Sequence, residues 1–329
     1  MGRLHENHCR RIVLITPAAR HSKSGNRATA NRWARILRGL GHDVHVAETY
    51  DGEGADLMVA LHAWRSAASI RAFRAAYPER PIVLALTGTD IYAFQYSHPA
   101  ETLASMEMAD WLVCLHDRVG QDIPAQFGAK LTAIPQSAPP LPQPRAPSKR
   151  SFDICVVGHL RSEKDSLRAA YAARDLPPES RLRVIHLGKA HTEEWARMAR
   201  AEMARNRRYI WRGEVPGWRV RREYVRTHAM VMSSVMEGGA NVVSESIVAG
   251  VPVLASDISG NIGMLGEDYP GYYKCEDTDA LRALLVRAET EPEFLADLTR
   301  RCGVLAPRYT PEVEAAGWRD VIAHVTGSA

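Results

Sequence analysis

Short apolar runs alternate along the chain with stretches whose apolar residues return every three or four positions. In the first half the runs 11–16, 43–47, 57–61, 82–86 and 111–115 read as strands, with helices over about 26–40 and 66–77 between them. A run that is apolar at successive positions suits a strand buried on both faces, so the rhythm predicts a parallel, doubly wound sheet. The second half restarts the pattern with strands at 152–157, 183–187, 209–211, 229–233 and 252–255. Between the halves stand Pro135, Pro139, Pro140, Pro142, Pro144 and Pro147. Proline lacks an N–H and fixes its φ, so 135–150 reads as a stiff linker between a domain over 1–140 and another over 151–329. The last periodic segment, 311–325, is a helix expected to pack back across this hinge. Two Rossmann-like domains facing a cleft would each offer it the loops that follow their strands.

Composition narrows the class. At 329 residues, 46% hydrophobic and 24% charged, the chain has enough apolar residues for two cores. The net charge of +4 is spread among interspersed Arg, Asp and Glu, which suits attraction of a small anionic substrate better than a nucleic-acid stripe. Cys9, Cys114, Cys155, Cys275 and Cys302 are far apart without metal-ligand spacing, so reduced thiols are expected, with Cys114 and Cys155 in packing roles. No apolar run nears the roughly 20 residues that span a bilayer, and the polar start lacks a signal-peptide core. The expectation is a cytoplasmic protein with small-molecule partners, neither nucleic acid nor membrane.

Candidate chemistry concentrates after two strands of the second half. The stretch 237–245 places Glu237, Gly238, Gly239, Ala240, Asn241, Val242 and Glu245 between an apolar strand and an amphipathic helix predicted to begin near Asn241. Glycines let a ligand approach the backbone, and the helix start acts like roughly half a positive charge toward a phosphate. Carboxylates beside phosphates would repel them, so Glu237 and Glu245 suit sugar hydroxyls: one for a ribose, one for a transferred hexose. After the strand 152–157, Gly158 and His159 lead to Arg161 and Lys164, cations suited to a departing diphosphate without a metal. Gly213, in the turn after 209–211, is placed to surround a base through backbone groups.

The first half offers a second anion site. Ser24, Gly25, Asn26 and Arg27 open a helix after the first strand, while His62, Thr87 and Asp90 follow two others. Helix capping explains the first group equally well, and a structural histidine explains His62. Asp277 and Asp279 resemble a metal-binding pair but stand just before an apolar helix, where Asp is a good cap. Gly260, Gly263 and Gly266 lack the order of a dinucleotide fingerprint.

Gly158–His159–Leu160 with Lys164, the 212–216 turn, the 237–245 string and 249–253 together resemble the family 4 retaining glycosyltransferases over nearly the whole second half. That resemblance implies a GT-B fold, a nucleotide-sugar donor as co-substrate, no other cofactor and no metal. It assigns Glu245 to the ribose, Glu237 and the backbone of 238–242 to the sugar and phosphates, and Lys164 to the diphosphate. Where the family commonly has Arg after the strand glycine, this chain has His159, leaving Arg161 to supply the cation. A narrower resemblance rests on 24–27, 61–69, 86–90, 135–140, 158–161 and 267–272, which look like the SenB-type selenosugar synthases of selenoneine biosynthesis. It implies transfer of the sugar of UDP-glucose or UDP-N-acetylglucosamine to selenophosphate, with formation of a carbon–selenium bond and loss of phosphate. The alternatives are a family 4-like enzyme with a hydroxyl or thiol acceptor, a noncatalytic two-lobed binding protein and, more weakly supported, a nicotinamide enzyme.

Overall fold

The computed structural model describes residues 9–21 and 25–327, and these gather into two compact units, the described residues up to 136 with 311–327, and 137–310. Unit 1 holds the strands β1 (Arg11–Ile15), β2 (Asp43–Ala47), β3 (Leu57–Leu61), β4 (Ile82–Ala85), β5 (Trp111–Cys114) and β6 (Leu131–Ala133). They form one sheet in the order β2-β1-β3-β4-β5-β6, every pair parallel. Helices α1 (Gly25–Gly39), α2 (Ala67–Ala76), α3 (Gln95–Ser97), α4 (Pro99–Met108) and α5 (Val119–Asp122) lie along the connections.

Alternation within the apolar runs explains why both faces of this sheet are covered. Ile12 and Leu14 of β1 join a core containing Trp33 of α1, while Val13 and Ile15 join another containing Phe73 of α2 and Met106 of α4. Side chains alternate across a strand, so a run apolar at every position needs a cover on each side.

Unit 2 holds β7 (Phe152–Val157), β8 (Leu182–Leu187), β9 (Tyr209–Trp211), β10 (Ala229–Met232), β11 (Val253–Ser256) and β12 (Tyr272–Tyr273). Their order is β12-β11-β10-β7-β8-β9, again all parallel. Its helices are α6 (Arg168–Ala172), α7 (Glu193–Arg205), α8 (Gly217–Arg226), α9 (Asn241–Val248), α10 (Ser259–Leu265), α11 (Thr278–Thr290) and α12 (Pro292–Leu305). The chain then returns to unit 1 as α13 (Pro311–Val325). There Glu314, wholly buried, accepts from Trp33 Nε1 at 2.7 Å and Arg32 Nε at 3.0 Å, and Trp318 meets Trp33 edge-on at 4.7 Å.

The two doubly wound Rossmann-like sheets expected from the apolar rhythm are both present, each with one edge strand the rhythm did not announce, β6 and β12. The proline-rich stretch is strapped along unit 2. Ala146 N donates to Val225 O at 2.8 Å, Ser148 N to Arg226 O at 3.0 Å, and the Arg145 guanidinium to the carbonyls of Thr227 (2.6 Å) and Gly250. Cys114 and Cys155 are buried, one in each unit, and burial pushes both thiols up to about 12. Among the described residues no helix is long and apolar enough to cross a membrane.

Candidate functional site

Parallel sheets bind ligands beyond the carboxyl ends of their strands, where the strand order reverses. In unit 2 that reversal lies between β7 and β10. A small open concavity sits there, lined among others by Val157, Gly158, His159, Lys164, His186 and Ser233. The loop after β7 runs to a 3-10 turn at Ser162–Lys164, which Asp165 ends in the left-handed region at φ +42.

Side-chain hydroxyls stitch this loop to the one after β10. Ser233 Oγ lies 3.0 Å from the carbonyls of both Lys164 and Asp165, and Val235 N donates to Glu163 O at 3.0 Å. Ser166 Oγ accepts from Arg161 N at 3.0 Å and lies within 3.2 Å of the His159 and Arg161 carbonyls. Across that seam the Lys164 ammonium pairs with the Glu237 carboxylate; their side chains are 20% and 12% exposed. Gly260 is what allows Glu237 its place, since a Cβ there would fall 2.1 Å from the Glu237 carbonyl oxygen.

The other donor candidates lie on these two loops, on α9 and in the turn after β9. Gly238 and Gly239, the latter at φ +130, lead to Ala240, the N-cap of α9, whose methyl side chain makes no capping hydrogen bond. Asn241 and Val242 form the first turn of α9, and Glu245 follows one turn on, half-buried, with Tyr224 O–H donating to its Oε2 at 3.4 Å. Burial, reinforced by the Glu245 charge, holds the Tyr224 phenol well above its ordinary range, so it stays a neutral donor. His159 Nδ1 accepts from Lys189 N at 3.1 Å, which in the neutral ring leaves the proton on Nε2. Arg161 is 42% exposed and 4.0 Å from Glu163. Gly213, in the left-handed region at φ +68, accepts through its carbonyl from Gly188 N at 2.8 Å.

In unit 1 the order reverses between β1 and β3. Ser24 lies outside the described residues, as do Ser22 and Lys23. Gly25 and Asn26 start α1, whose first turn carries no acid, and Arg27 is 9% exposed with no hydrogen-bond partner at Nε. Thr16, the residue after β1, is wholly buried, and its hydroxyl also lacks a partner. Thr16 was read only as a strand end; a hydroxyl closing an apolar run was the available signal.

His62, Thr87 and Asp90 come together in one network beyond β3 and β4. His62 adopts φ +74, its Nδ1 accepts from Arg65 N at 3.3 Å, and its Nε2 reaches Thr89 Oγ1 at 2.9 Å. Burial lowers the imidazole pKa, against the pull of Asp90, so the ring is neutral. Asp90 spends its carboxylate on backbone: Thr87 N at 2.9 Å, Gly88 N at 2.7 Å and Ala63 N at 3.1 Å. It thereby fixes the π-helix Asp90–Phe94. Beside it Trp64 stacks on Phe94 at 4.3 Å and 8°, with His98 4.6 Å from Trp64. Asp277 caps α11, accepting from Asp279 N and Ala280 N.

The family of glycosyl transferases group 1 matches residues 140–302. Solved structures with the same fold include HepE of Anabaena in complex with UDP and glucose: 12% identity, TM-score 0.75, 96% of this chain and 100% of that one. Sucrose-phosphate synthase of Thermosynechococcus elongatus gives 13%, 0.76, 97% and 100%. A glycosyltransferase of Rickettsia africae gives 11%, 0.77, 98% and 100%. No curated protein matches the chain by sequence.

Proposed function

We infer the reaction from a family: the chain belongs, through residues 140–302, to the glycosyl transferases group 1, and we propose that it transfers the sugar of a UDP-sugar to selenophosphate. The observation that carries the donor half is the Lys164–Glu237 pair beside the start of α9 at the reversal point of sheet β7–β12. Breaking the bond between the anomeric carbon and the diphosphate leaves an electron pair on UDP. Lys164, Arg161 and the α9 N–H groups stabilise that charge, with about 3 kcal/mol from one well-placed donor. Glu237, once its ammonium partner turns to the diphosphate, is free to accept from the sugar, and Glu245 from the ribose. UDP in HepE supports uracil as the base.

The acceptor half rests on Arg27 and Thr16, buried polar groups with unpaired atoms near the end of β1 and the start of α1. Such atoms cost free energy unless a ligand meets them, and an oxyanion meets both. Selenophosphate is a small anion with a polarisable nucleophile that needs little help from a base. Its selenium bonds to the anomeric carbon as UDP departs; water then attacks phosphorus, releasing phosphate and leaving the selenol sugar. A second reading, an organic acceptor with a hydroxyl or thiol, is favoured by the stacked Trp64 and Phe94.

Mass spectrometry of incubations with UDP-glucose or UDP-N-acetylglucosamine, with and without fresh selenophosphate, tests both. A selenium-containing sugar formed together with equal UDP and phosphate is expected. UDP release indifferent to selenophosphate, with sugar appearing on an added alcohol or thiol, selects the second reading.

A further inference from the structure

The carbonyl of Gly158, at the root of the loop that carries His159, Arg161 and Lys164, is held from the side by β8 and the residue after it. His186, the penultimate residue of β8, is 1% exposed, and its Nε2 lies 3.1 Å from Gly158 O. Its Nδ1 lies 3.0 Å from Tyr209 O–H of β9. A carbonyl can only accept, so Nε2 carries the proton; Nδ1 is then the acceptor and Tyr209 the donor. One tautomer satisfies both contacts. Two residues further on, Gly188 stands so close that a Cβ would fall 1.8 Å from the same carbonyl oxygen.

The Gly158 carbonyl is therefore fixed by a hydrogen bond and by backbone that leaves no room to turn. In a trans peptide the N–H points opposite the C=O, so this contact also turns the His159 N–H away from β8. We propose that His186 is a positioning residue: by gripping the Gly158 carbonyl it sets the Gly158–His159 peptide, and the loop beyond it, to receive the diphosphate of the donor. The inference rests on the donor reading above. His186 was legible only as one polar residue in the apolar run 183–187, and its contact is with a residue 28 positions earlier. Burial, only partly offset by the bond to Gly158, keeps the ring neutral with a pKa of about 4, so the grip persists at ordinary pH.

Calorimetric titration with UDP and with uridine separates phosphate positioning from general damage. His186→Leu should weaken UDP binding about tenfold, the upper end of what one hydrogen bond contributes, and leave uridine unchanged. His186→Gln, whose amide can replace Nε2, should return UDP affinity to within about threefold of wild type. Gly188→Ala should reproduce the loss by displacing the same peptide. UDP affinity retained in His186→Leu, or lost in equal measure for uridine, overturns the proposal. Should that variant not fold, Tyr209→Phe removes one oxygen and releases the tautomer: a loss of about threefold for UDP alone is expected, and none overturns it. Wild-type protein that binds UDP no better than uridine overturns the donor reading together with this one, so the two failures are distinguishable.

Discussion

Lys164 and Glu237 hold each other across two loops 73 residues apart, and that pairing sets what each does when a donor arrives. In the proposed transfer a diphosphate would compete for the ammonium and sugar hydroxyls for the carboxylate, so that binding would exchange one charge pair for two ligand contacts. On that proposal Lys164→Met removes a cation whose contribution grows as charge develops on the departing UDP. It should lower kcat/KM about 10²–10³-fold, the effect of losing one such donor, while the melting temperature stays near wild type. Steady-state rates beside a thermal melt check this, and an unchanged kcat/KM would remove Lys164 from the mechanism. Arg27→Ala makes a contrasting prediction, because its guanidinium sits in the other unit with Nε unpartnered. The KM for selenophosphate should rise far more than the KM for UDP-sugar; kinetics equal to wild type reject the role. Lys164, Glu237 and Glu245 were legible because each stands near glycines at the end of an apolar run. The contact of Lys164 with Glu237 was not, since nothing in either loop encodes a partner that far along the chain.

The π-helix Asp90–Phe94 departs from ordinary helix geometry, and its cause is local. Asp90 gathers the N–H groups of Thr87, Gly88 and Ala63, Thr89 receives His62, and Tyr92 O–H donates to Asp122 at 2.8 Å with His116 Nε2 3.1 Å away. Asn in place of Asp90 keeps the shape but turns an N–H-bearing amide toward backbone donors. Asp90→Asn should cost about 2–3 kcal/mol, the range for hydrogen bonds to a charged group, and lower the melting temperature by about 5–10 °C. A selenophosphate KM that moves with no loss of stability would instead restore Asp90 as an acceptor contact. Strands were readable wherever an apolar run was long enough to show both faces buried, as in 57–61. β6, half-buried throughout and interrupted by Thr132, and β12, only two residues long, lack an apolar run like Tyr209–Trp211 of β9 and exist because a neighbouring edge offers them hydrogen bonds. Proline content announced a stiff segment at 135–150, but its attachment depends on Arg145 reaching the carbonyls of Thr227 and Gly250, which no local pattern reveals.

At the scale of the whole chain, each sheet buries a histidine near the carboxyl ends of its strands, and this couples stability to pH in both units. His116 in unit 1 is 1% exposed; burial lowers its pKa to about 4 although Asp122 and Asp117 pull the other way. His186 in unit 2 is lowered to about 4 by burial as well. Unfolded, each titrates near 6.5, so between pH 6.5 and 4 the unfolded chain binds more protons than the folded one. Stability is therefore present above pH 6.5 and lost as the pH falls toward 4, by about 2 kcal/mol for each histidine at pH 5. Glu202 acts lower down. Burial alone would raise the pKa of Glu202, but hydrogen bonds from Arg174, Arg205 and Asn206 outweigh it and hold the group at about 2, so its contribution is lost only between 4.5 and 2. Urea melts at pH 7.5, 6.0 and 5.0, followed by tryptophan fluorescence, fall in the histidine window and clear of most of the Glu202 window. A midpoint that drops steadily across them is expected, and His116→Gln should remove the part of the drop that belongs to His116, leaving those of His62 and His186. A midpoint constant from pH 7.5 to 5.0 would mean that neither ring is held neutral in the folded protein, and the tautomer assigned to His186 would fall, because protonated Nδ1 cannot accept from Tyr209.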